Sequence, residues 1–155
     1  MVEIRRRGAQ LPNDGVFAMS WFVTYRGIVG TDELDRLGHM NIQHYMGRLS
    51  LAGFAVMEKI GLGETSPHGR RALSMLRCEI DFRRELTSGE TIRLETEMLT
   101  VGTKSLTFRH RMIVEADGAP AMDAKVVAVC IDLDLRKSTP LPDEVAATAR
   151  ALIPA

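Results

Sequence analysis

One segment constrains the fold of this chain more than any other: residues 41–63, which read NIQHYMGRLSLAGFAVMEKIGLG. Its apolar residues recur at helical spacing: Ile42, Tyr45, Met46, Leu49, Ala52, Gly53, Val56, Met57 and Ile60. Leu51, Phe54 and Ala55 lie off that stripe, so the helix is apolar over most of its circumference. A helix of this kind is normally buried. Gly61 and Gly63 are suitable residues to end it, and the segment therefore predicts one long, buried central helix.

Strand patterns occupy most of the remaining chain. Residues 21–29, which read WFVTYRGIV, are rich in aromatic and β-branched residues and precede the helix. Four further strand-like segments follow it: residues 73–86, 90–99, 105–116 and 123–135. In the first of these four, alternation places a set of apolar residues on one predicted face: Leu76, Cys78, Ile80 and Phe82. Turn signals such as Asp117-Gly118 separate the segments.

The order of these elements predicts the fold class. One strand, one long helix, four strands and a short terminal helix over residues 143–152 form an α+β arrangement, and residues 1–155 are expected to form a single domain. We expect a curved antiparallel five-stranded sheet wrapped around the central helix, preceded by a loose lead-in at residues 1–15. Such a half-wrapped unit leaves helix surface and sheet edges uncovered, which predicts a homodimer or homotetramer.

Charge and cysteine content narrow the range of partners. Lys and Arg number 20 and Asp and Glu also number 20, so the formal net charge is zero and no nucleic-acid partner is expected. Cys78 and Cys130 match no metal-site or disulfide spacing, and neither a metal nor a cofactor is expected. No segment reaches the roughly 18 apolar residues that span a bilayer, so we expect no membrane partner and a cytoplasmic location.

Polar groups crowd the junction just ahead of the helix, where residues 35–41 read DRLGHMN. A polar residue such as Asn41 is a common helix cap, and a loop with a cap is one interpretation of this junction. The other is an active site. Asp32 and Glu33 lie just upstream and are alternative acids, but their positions predict solvated side chains. His110 lies among apolar residues and is predicted to be a satisfied core histidine.

Residues 23–53 resemble the hot-dog fold thioesterases, the group that includes 4-hydroxybenzoyl-CoA thioesterase and the acyl-CoA and acyl-carrier-protein thioesterases. The family pattern is an acid, two residues, Gly-His, an apolar residue, Asn, and a Tyr four residues on. This chain matches it at Asp35, Gly38, His39, Asn41 and Tyr45. It departs from residues common in relatives at Leu37, Ile42 and Ser50.

The resemblance implies an acyl-CoA thioesterase that hydrolyses a thioester to a free acid and CoA. Asp35 falls where the family has its catalytic carboxylate, and it can act as nucleophile or as the general base that activates water. Backbone N–H groups of Gly38, His39 and Met40, at the start of the helix, are expected to hold the oxyanion.

The neighbouring side chains have supporting roles under the same resemblance. His39 can orient the water or Asp35, or donate to the thioester oxygen. Asn41 is a helix cap, a positioning residue, or both. Tyr45 is expected in the wall of the substrate pocket. The basic candidates for contact with CoA phosphates are Arg70, Arg71, Arg83, Arg84 and Lys104, whose alternative role is to solvate the surface.

Three other functions stay open from the sequence. The substrate can be an acyl carrier protein thioester instead of acyl-CoA. The same fold can serve as a non-catalytic acyl-CoA-binding module, because fold alone does not fix function. A hydratase or dehydratase of the same architecture is the third alternative.

Overall fold

A computed structural model describes residues 20–155, so the predicted lead-in at residues 1–15 lies outside the described residues. The elements are β1 (Phe22–Ile28), a 3-10 helix (Thr31–Glu33), α1 (Ile42–Ile60), β2 (Arg71–Phe82), β3 (Thr91–Val101), β4 (Ser105–Val114), β5 (Pro120–Asp132), β6 (Lys137–Ser138) and α2 (Asp143–Ala151). The predicted order of strand, long helix, four strands and terminal helix is confirmed. The 3-10 helix and the two-residue β6 are additions to it.

The strands form one antiparallel sheet in the order β1-β3-β4-β5-β2, with β6 paired to β5. β2 lies at one edge although it follows α1 directly in the chain. The predicted α+β class is confirmed, and the arrangement of a single long helix on an antiparallel sheet is that of the hot-dog fold. None of the helices in residues 20–155 is long and apolar enough to cross a membrane.

The core lies between α1 and the inner face of the sheet. Leu49, Ala52 and Val56 are completely buried on the side of α1 that faces the strands. They belong to two apolar clusters, one around the first half of α1 and the other around its second half and α2. α1 ends at Gly61, whose φ of 90° is a left-handed conformation that glycine adopts at little cost.

One side of α1 is uncovered in the single chain, as the predicted half-wrapped unit implies. Ile42, Leu51 and Phe54 are 57%, 53% and 58% exposed. The sheet covers one side of the helix, and the opposite side has no covering element among residues 20–155.

Leu76 was predicted on the inward face of β2, and this prediction is wrong. The pairing with β5 shifts register between Met75 and Arg77, so Leu76 is an extra residue in a β-bulge. It is 66% exposed, whereas Cys78 and Ile80 pack against the core clusters as predicted. Phe82 is also half-exposed, and its ring faces the cavity described below.

Candidate active site

A tight loop places Asp35 directly ahead of α1. The Gly38 N–H donates to the Asp35 carbonyl oxygen at 3.0 Å, and the Asp35 N–H donates to the His39 carbonyl oxygen at 3.0 Å. Gly38 has a φ of +82°, which L side chains rarely adopt, and a Cβ built on it would meet no atom within 4 Å. Glycine is therefore required here by backbone conformation and not by close approach to another group.

Asn41 joins the helix start to the Asp35 carboxylate. Its Oδ1 accepts a hydrogen bond from the Gln43 N–H at 3.1 Å, which caps α1. Its Nδ2 donates to Asp35 Oδ2 at 3.1 Å. The two roles considered for Asn41, cap and positioning residue, are thus filled by opposite ends of one amide.

The pKa of Asp35 is lowered from its ordinary value of 3.8. The main cause is the Leu37 N–H, which donates to Asp35 Oδ1 at 2.8 Å, and the Asn41 amide adds to it. Hydrogen bonds to a carboxylate favour its charged form. Asp35 therefore stays ionised as the pH falls to below its ordinary pKa.

Glu33 is not the solvated acid that its position predicted. Its carboxylate accepts a hydrogen bond from Arg48 Nη2 at 2.7 Å, and Arg48 is only 5% exposed on α1. The Glu33 carboxylate also accepts from the Gly30 N–H at 2.6 Å, and the Glu33 carbonyl accepts from the Asn41 N–H at 2.9 Å. The Arg48 hydrogen bond is the main cause of a lowered Glu33 pKa. This partly buried ion pair ties both ends of the Asp35 loop to α1.

Two of the three predicted oxyanion donors are already occupied. The Gly38 N–H donates to Asp35, and the Met40 N–H donates to the Leu86 carbonyl oxygen at 2.8 Å. The His39 N–H has no acceptor among residues 20–155, and the same holds for the Ile42 N–H in the first turn of α1. Orphan donors at a helix start carry positive partial charge.

A cavity of about 310 Å³ opens at this junction. Its lining brings together five of the six predicted site residues: Asp35, His39, Met40, Asn41 and Tyr45. Gly38 does not line it and instead forms the turn behind Asp35. The other lining residues are Ile42 and four consecutive residues at the end of β2: Phe82, Arg83, Arg84 and Glu85.

The β2 end gives the cavity an aromatic wall and a basic rim. The rings of Phe82 and Tyr45 meet edge to face at 5.0 Å between centroids. Arg83 forms an ion pair with Asp123 at 2.8 Å, Arg84 forms ion pairs with Asp117 at 2.8 Å and with Glu90, and each arginine keeps part of its side chain exposed. Sequence reasoning named both arginines as phosphate candidates but had no signal that placed them beside Asp35.

His39 and Tyr45 lie at the cavity without contacting the Asp35 carboxylate. His39 Nδ1 lies 3.4 Å from the Met40 carbonyl oxygen, and Nε2 lies 3.8 Å from a Glu85 carboxylate oxygen. Tyr45 is buried, and burial raises the pKa of its phenol, so it presents a neutral wall. Two carboxylates thus line the cavity: Asp35 at the helix start, which two donors hold, and the exposed Glu85 after β2.

Residues 29–148 match the family model of the thioesterase-like superfamily. The chain belongs to this superfamily. It is 27% identical over 130 residues to the betainyl-CoA thioesterase of Pseudomonas aeruginosa, and the match covers 83% of this chain and 82% of that relative.

Solved structures share the fold of this superfamily member. A putative thioesterase from Pseudomonas putida matches with a TM-score of 0.73 and 24% identity, over 85% of this chain and 84% of that one. The protein SAV2348 from Staphylococcus aureus, solved in complex with CoA, matches with a TM-score of 0.75 and 17% identity, over 91% and 87%. Thioesterase-like superfamily membership and the named relative make this chain a thioester hydrolase, and acyl-CoA thioesters are the substrates at the level of the family.

The Glu33–Arg48 pair generates a stability prediction. Replacing Arg48 by Met leaves the Glu33 carboxylate without its main partner, and we expect unfolding free energy to fall by about 3 kcal/mol. Urea unfolding of the purified proteins measures this. The double variant Glu33→Gln with Arg48→Met should regain part of the loss.

Arg36→Met is the matched control, because Arg36 is an exposed arginine of the same loop. It should change the unfolding free energy by less than about 0.5 kcal/mol. Equal losses in Arg36→Met and Arg48→Met would contradict a specific role for the buried pair.

The Asn41 amide generates a pKa prediction. Asn41→Asp keeps an oxygen that can cap α1 but replaces the donor to Asp35 with a second carboxylate. We expect the pKa of Asp35 to rise, because its charged form loses a hydrogen bond and gains a like charge. An NMR titration of the Asp35 carboxyl carbon measures the change.

Leu37→Ala is the control for this titration, because it keeps the Leu37 backbone donor and removes only an exposed side chain. It should leave the pKa of Asp35 where it is in the wild type. An Asp35 pKa that is unchanged in Asn41→Asp would show that the amide does not stabilise the carboxylate.

Proposed function

We propose that this protein hydrolyses acyl-CoA thioesters to a free acid and CoA, with Asp35 as the catalytic carboxylate. The observation that carries the proposal is the placement of Asp35. It is ionised, held by two donors, and lines the cavity at the start of α1. Glu33, the competing acid, is occupied by Arg48 and is absent from the lining of that cavity.

We propose the nucleophilic route for Asp35. In this route the carboxylate needs only to be ionised and to reach the thioester carbonyl carbon. An Asp35 oxygen attacks the thioester carbonyl carbon, the carbon–sulfur bond breaks, and CoA leaves as the thiolate. Water then hydrolyses the mixed anhydride to the free acid and restores Asp35.

The oxyanion formed in that attack needs donors that are not otherwise used. The backbone N–H groups of His39 and Ile42 meet this condition among the described residues. The helix dipole of α1 also has its positive end at this N-terminus. We therefore assign the oxyanion to His39 and Ile42 N–H groups in place of Gly38 and Met40. Asn41 positions Asp35, and Tyr45 with Phe82 packs against the thioester arm.

CoA is proposed as the carrier in preference to a carrier protein. The relative from Pseudomonas aeruginosa is named for a CoA thioester. Arg83 and Arg84 stand at the cavity rim, and Arg83, whose hydrogen bond to Asp123 uses Nε, keeps further N–H groups for a phosphate. A cytoplasmic location stays a prediction.

Asp35→Asn tests the catalytic assignment. We expect thioester turnover to fall by about a hundredfold to ten-thousandfold, because the amide can neither attack the carbonyl nor accept a proton. A thiol-release assay with a panel of acyl-CoA substrates, betainyl-CoA included, measures it. Asp32→Asn, at an exposed acid of the same loop, should retain wild-type turnover.

The same assays separate the alternatives. Wild-type turnover in a correctly folded Asp35→Asn protein would contradict the assignment. Hydration of an enoyl-CoA without thioester cleavage would indicate a hydratase, and tight acyl-CoA binding without turnover would indicate a binding module. Faster turnover of acyl carrier protein thioesters than of acyl-CoA would indicate that the natural substrate is carried by a protein and not by CoA. A single turnover in water labelled with heavy oxygen places label in Asp35 only on the nucleophilic route.

We also propose that the protein works as a homo-oligomer, in the form of a dimer or tetramer. Apolar side chains on the uncovered side of α1 and on the edge strand β2 support this: Ile42, Leu51, Phe54, Met75 and Leu76 are exposed in the single chain. β2 also has one unpaired edge in residues 20–155. Burial against a second copy removes both apolar side chains and open backbone groups from water.

Sedimentation velocity tests the oligomer. We expect the wild-type protein to sediment as a dimer or larger, and Phe54→Glu or Leu76→Glu to shift it towards the monomer. Leu135→Glu is the control, because Leu135 is an exposed leucine in the turn after β5 and should leave the distribution unchanged. A wild-type protein that is monomeric at micromolar concentration would contradict the proposal.

A further inference from the structure

A second cavity lies between α1 and the inner face of the sheet, further along the helix than the Asp35 site. Its volume is about 130 Å³, and residues of α1, β2, β4 and β5 line it. The lining is apolar except at two of its described residues, Ser50 on α1 and His110 on β4. The proposed reaction steps involve neither of them.

Only one of the two ring nitrogens of His110 has a hydrogen-bond partner, so the prediction of a fully hydrogen-bonded core histidine is wrong. It is 1% exposed, and its Nδ1 lies 2.7 Å from the Thr96 hydroxyl oxygen. Its Nε2 is buried and has no hydrogen-bond partner among residues 20–155. A buried polar atom without a partner is costly, so its presence beside a cavity calls for a ligand group.

A chain of hydrogen bonds determines which form of His110 faces the cavity. The Thr24 hydroxyl donates to the Leu94 carbonyl oxygen at 3.4 Å, and its oxygen lies 2.9 Å from the Thr96 hydroxyl. Since a carbonyl can only accept, Thr96 donates to Thr24, and the His110 Nδ1–H donates to Thr96. Burial lowers the pKa of His110 to about 4, so the ring is neutral near pH 7. Nε2 is then an unprotonated acceptor.

A stripe of side chains on the exposed face of α1 runs from the Asp35 site towards this cavity. Ile42 lines the Asp35 cavity and Ser50 lines the second one, with Met46 between them at four-residue spacing on the same exposed face. Eight residues of helix correspond to about 12 Å. An acyl chain whose thioester lies at Asp35 can follow this stripe towards His110.

We propose that the second cavity binds the distal end of the acyl group and that His110 Nε2 accepts a hydrogen bond from a hydroxyl group carried there. Hydroxylated acyl-CoA thioesters are thus the preferred substrate class, an inference that rests on the proposed thioesterase function. The Ser50 hydroxyl can donate to the same substrate oxygen. A carboxylate at this place would be repelled, because its oxygens and the lone pair of Nε2 are both acceptors. A plain alkyl chain would leave Nε2 without a partner.

Substrate pairs of equal length test the proposal. For wild-type protein, kcat/KM is compared between dodecanoyl-CoA and its hydroxydodecanoyl-CoA isomers, with the hydroxyl at successive carbons. We expect about a tenfold preference for the isomer whose hydroxyl reaches His110, the value of one well-placed hydrogen bond. In His110→Leu this ratio should fall to about one. Met112→Leu, at a buried neighbour on the same strand, should keep it.

A measurement on the wild-type protein covers the case in which His110→Leu does not fold. The nitrogen NMR signals of the His110 ring are followed while dodecanoic or hydroxydodecanoic acid is added. The hydroxy acid should shift the signal of an unprotonated Nε2, and dodecanoic acid should not.

The outcomes separate this inference from the proposed function. Equal hydrolysis of dodecanoyl-CoA and every hydroxy isomer would overturn the inference and leave the thioesterase proposal standing. Failure to hydrolyse any acyl-CoA would overturn the proposed function. The NMR titration would then show whether the second cavity binds a hydroxyl group at His110. A protonated Nε2, or one that does not respond to hydroxy acid, overturns the inference in either case.

Discussion

Leu49, Ala52 and Val56 are completely buried on one side of α1, and this contact with the sheet determines where every other group of the site lies. Burial of large aliphatic side chains contributes on the order of 1.5–3 kcal/mol each, so the helix is held firmly on the strands. Its start then places Asn41, and the loop between β1 and α1 has little freedom. The opposite side of α1 stays open, and it is there that we propose contacts with the acyl chain and with a second copy.

Two acids that lie two residues apart have different roles because their surroundings differ. Glu33 is satisfied by Arg48 and by the Gly30 N–H, so its charge stabilises the loop. Asp35 receives hydrogen bonds from the Leu37 N–H and the Asn41 amide but no cation forms an ion pair with it among the described residues. A carboxylate stabilised by neutral donors stays ionised and still has lone pairs for an electrophilic carbon.

The sequence was sufficient for the order of elements and for most of the site, because both are local in the chain. Helical spacing from Ile42 to Ile60 and the junction at residues 35–41 each depend on neighbours within a few residues. The motif therefore placed Asp35, His39 and Asn41 at one cavity correctly.

Features that depend on partners distant in the chain were not predictable. The ion pair of Arg48 with Glu33 crosses from helix to loop, and the bulge at Leu76 depends on how β2 pairs with β5. Residues 82–85 join the site only because β2 ends beside the start of α1. The unpaired nitrogen of His110 follows from two hydroxyl groups on other strands, which no periodicity reveals.

Asn41 has a consequence for how this protein responds to heat. The first turn of a helix is the part that frays most readily, and here one amide both stops the fraying and holds the Asp35 carboxylate. Transient opening of that turn would release Asp35 at the same moment as the Gln43 N–H. Exchange of a single amide hydrogen at Gln43 with solvent would thus report how often the site comes apart, well below the temperature at which the domain unfolds.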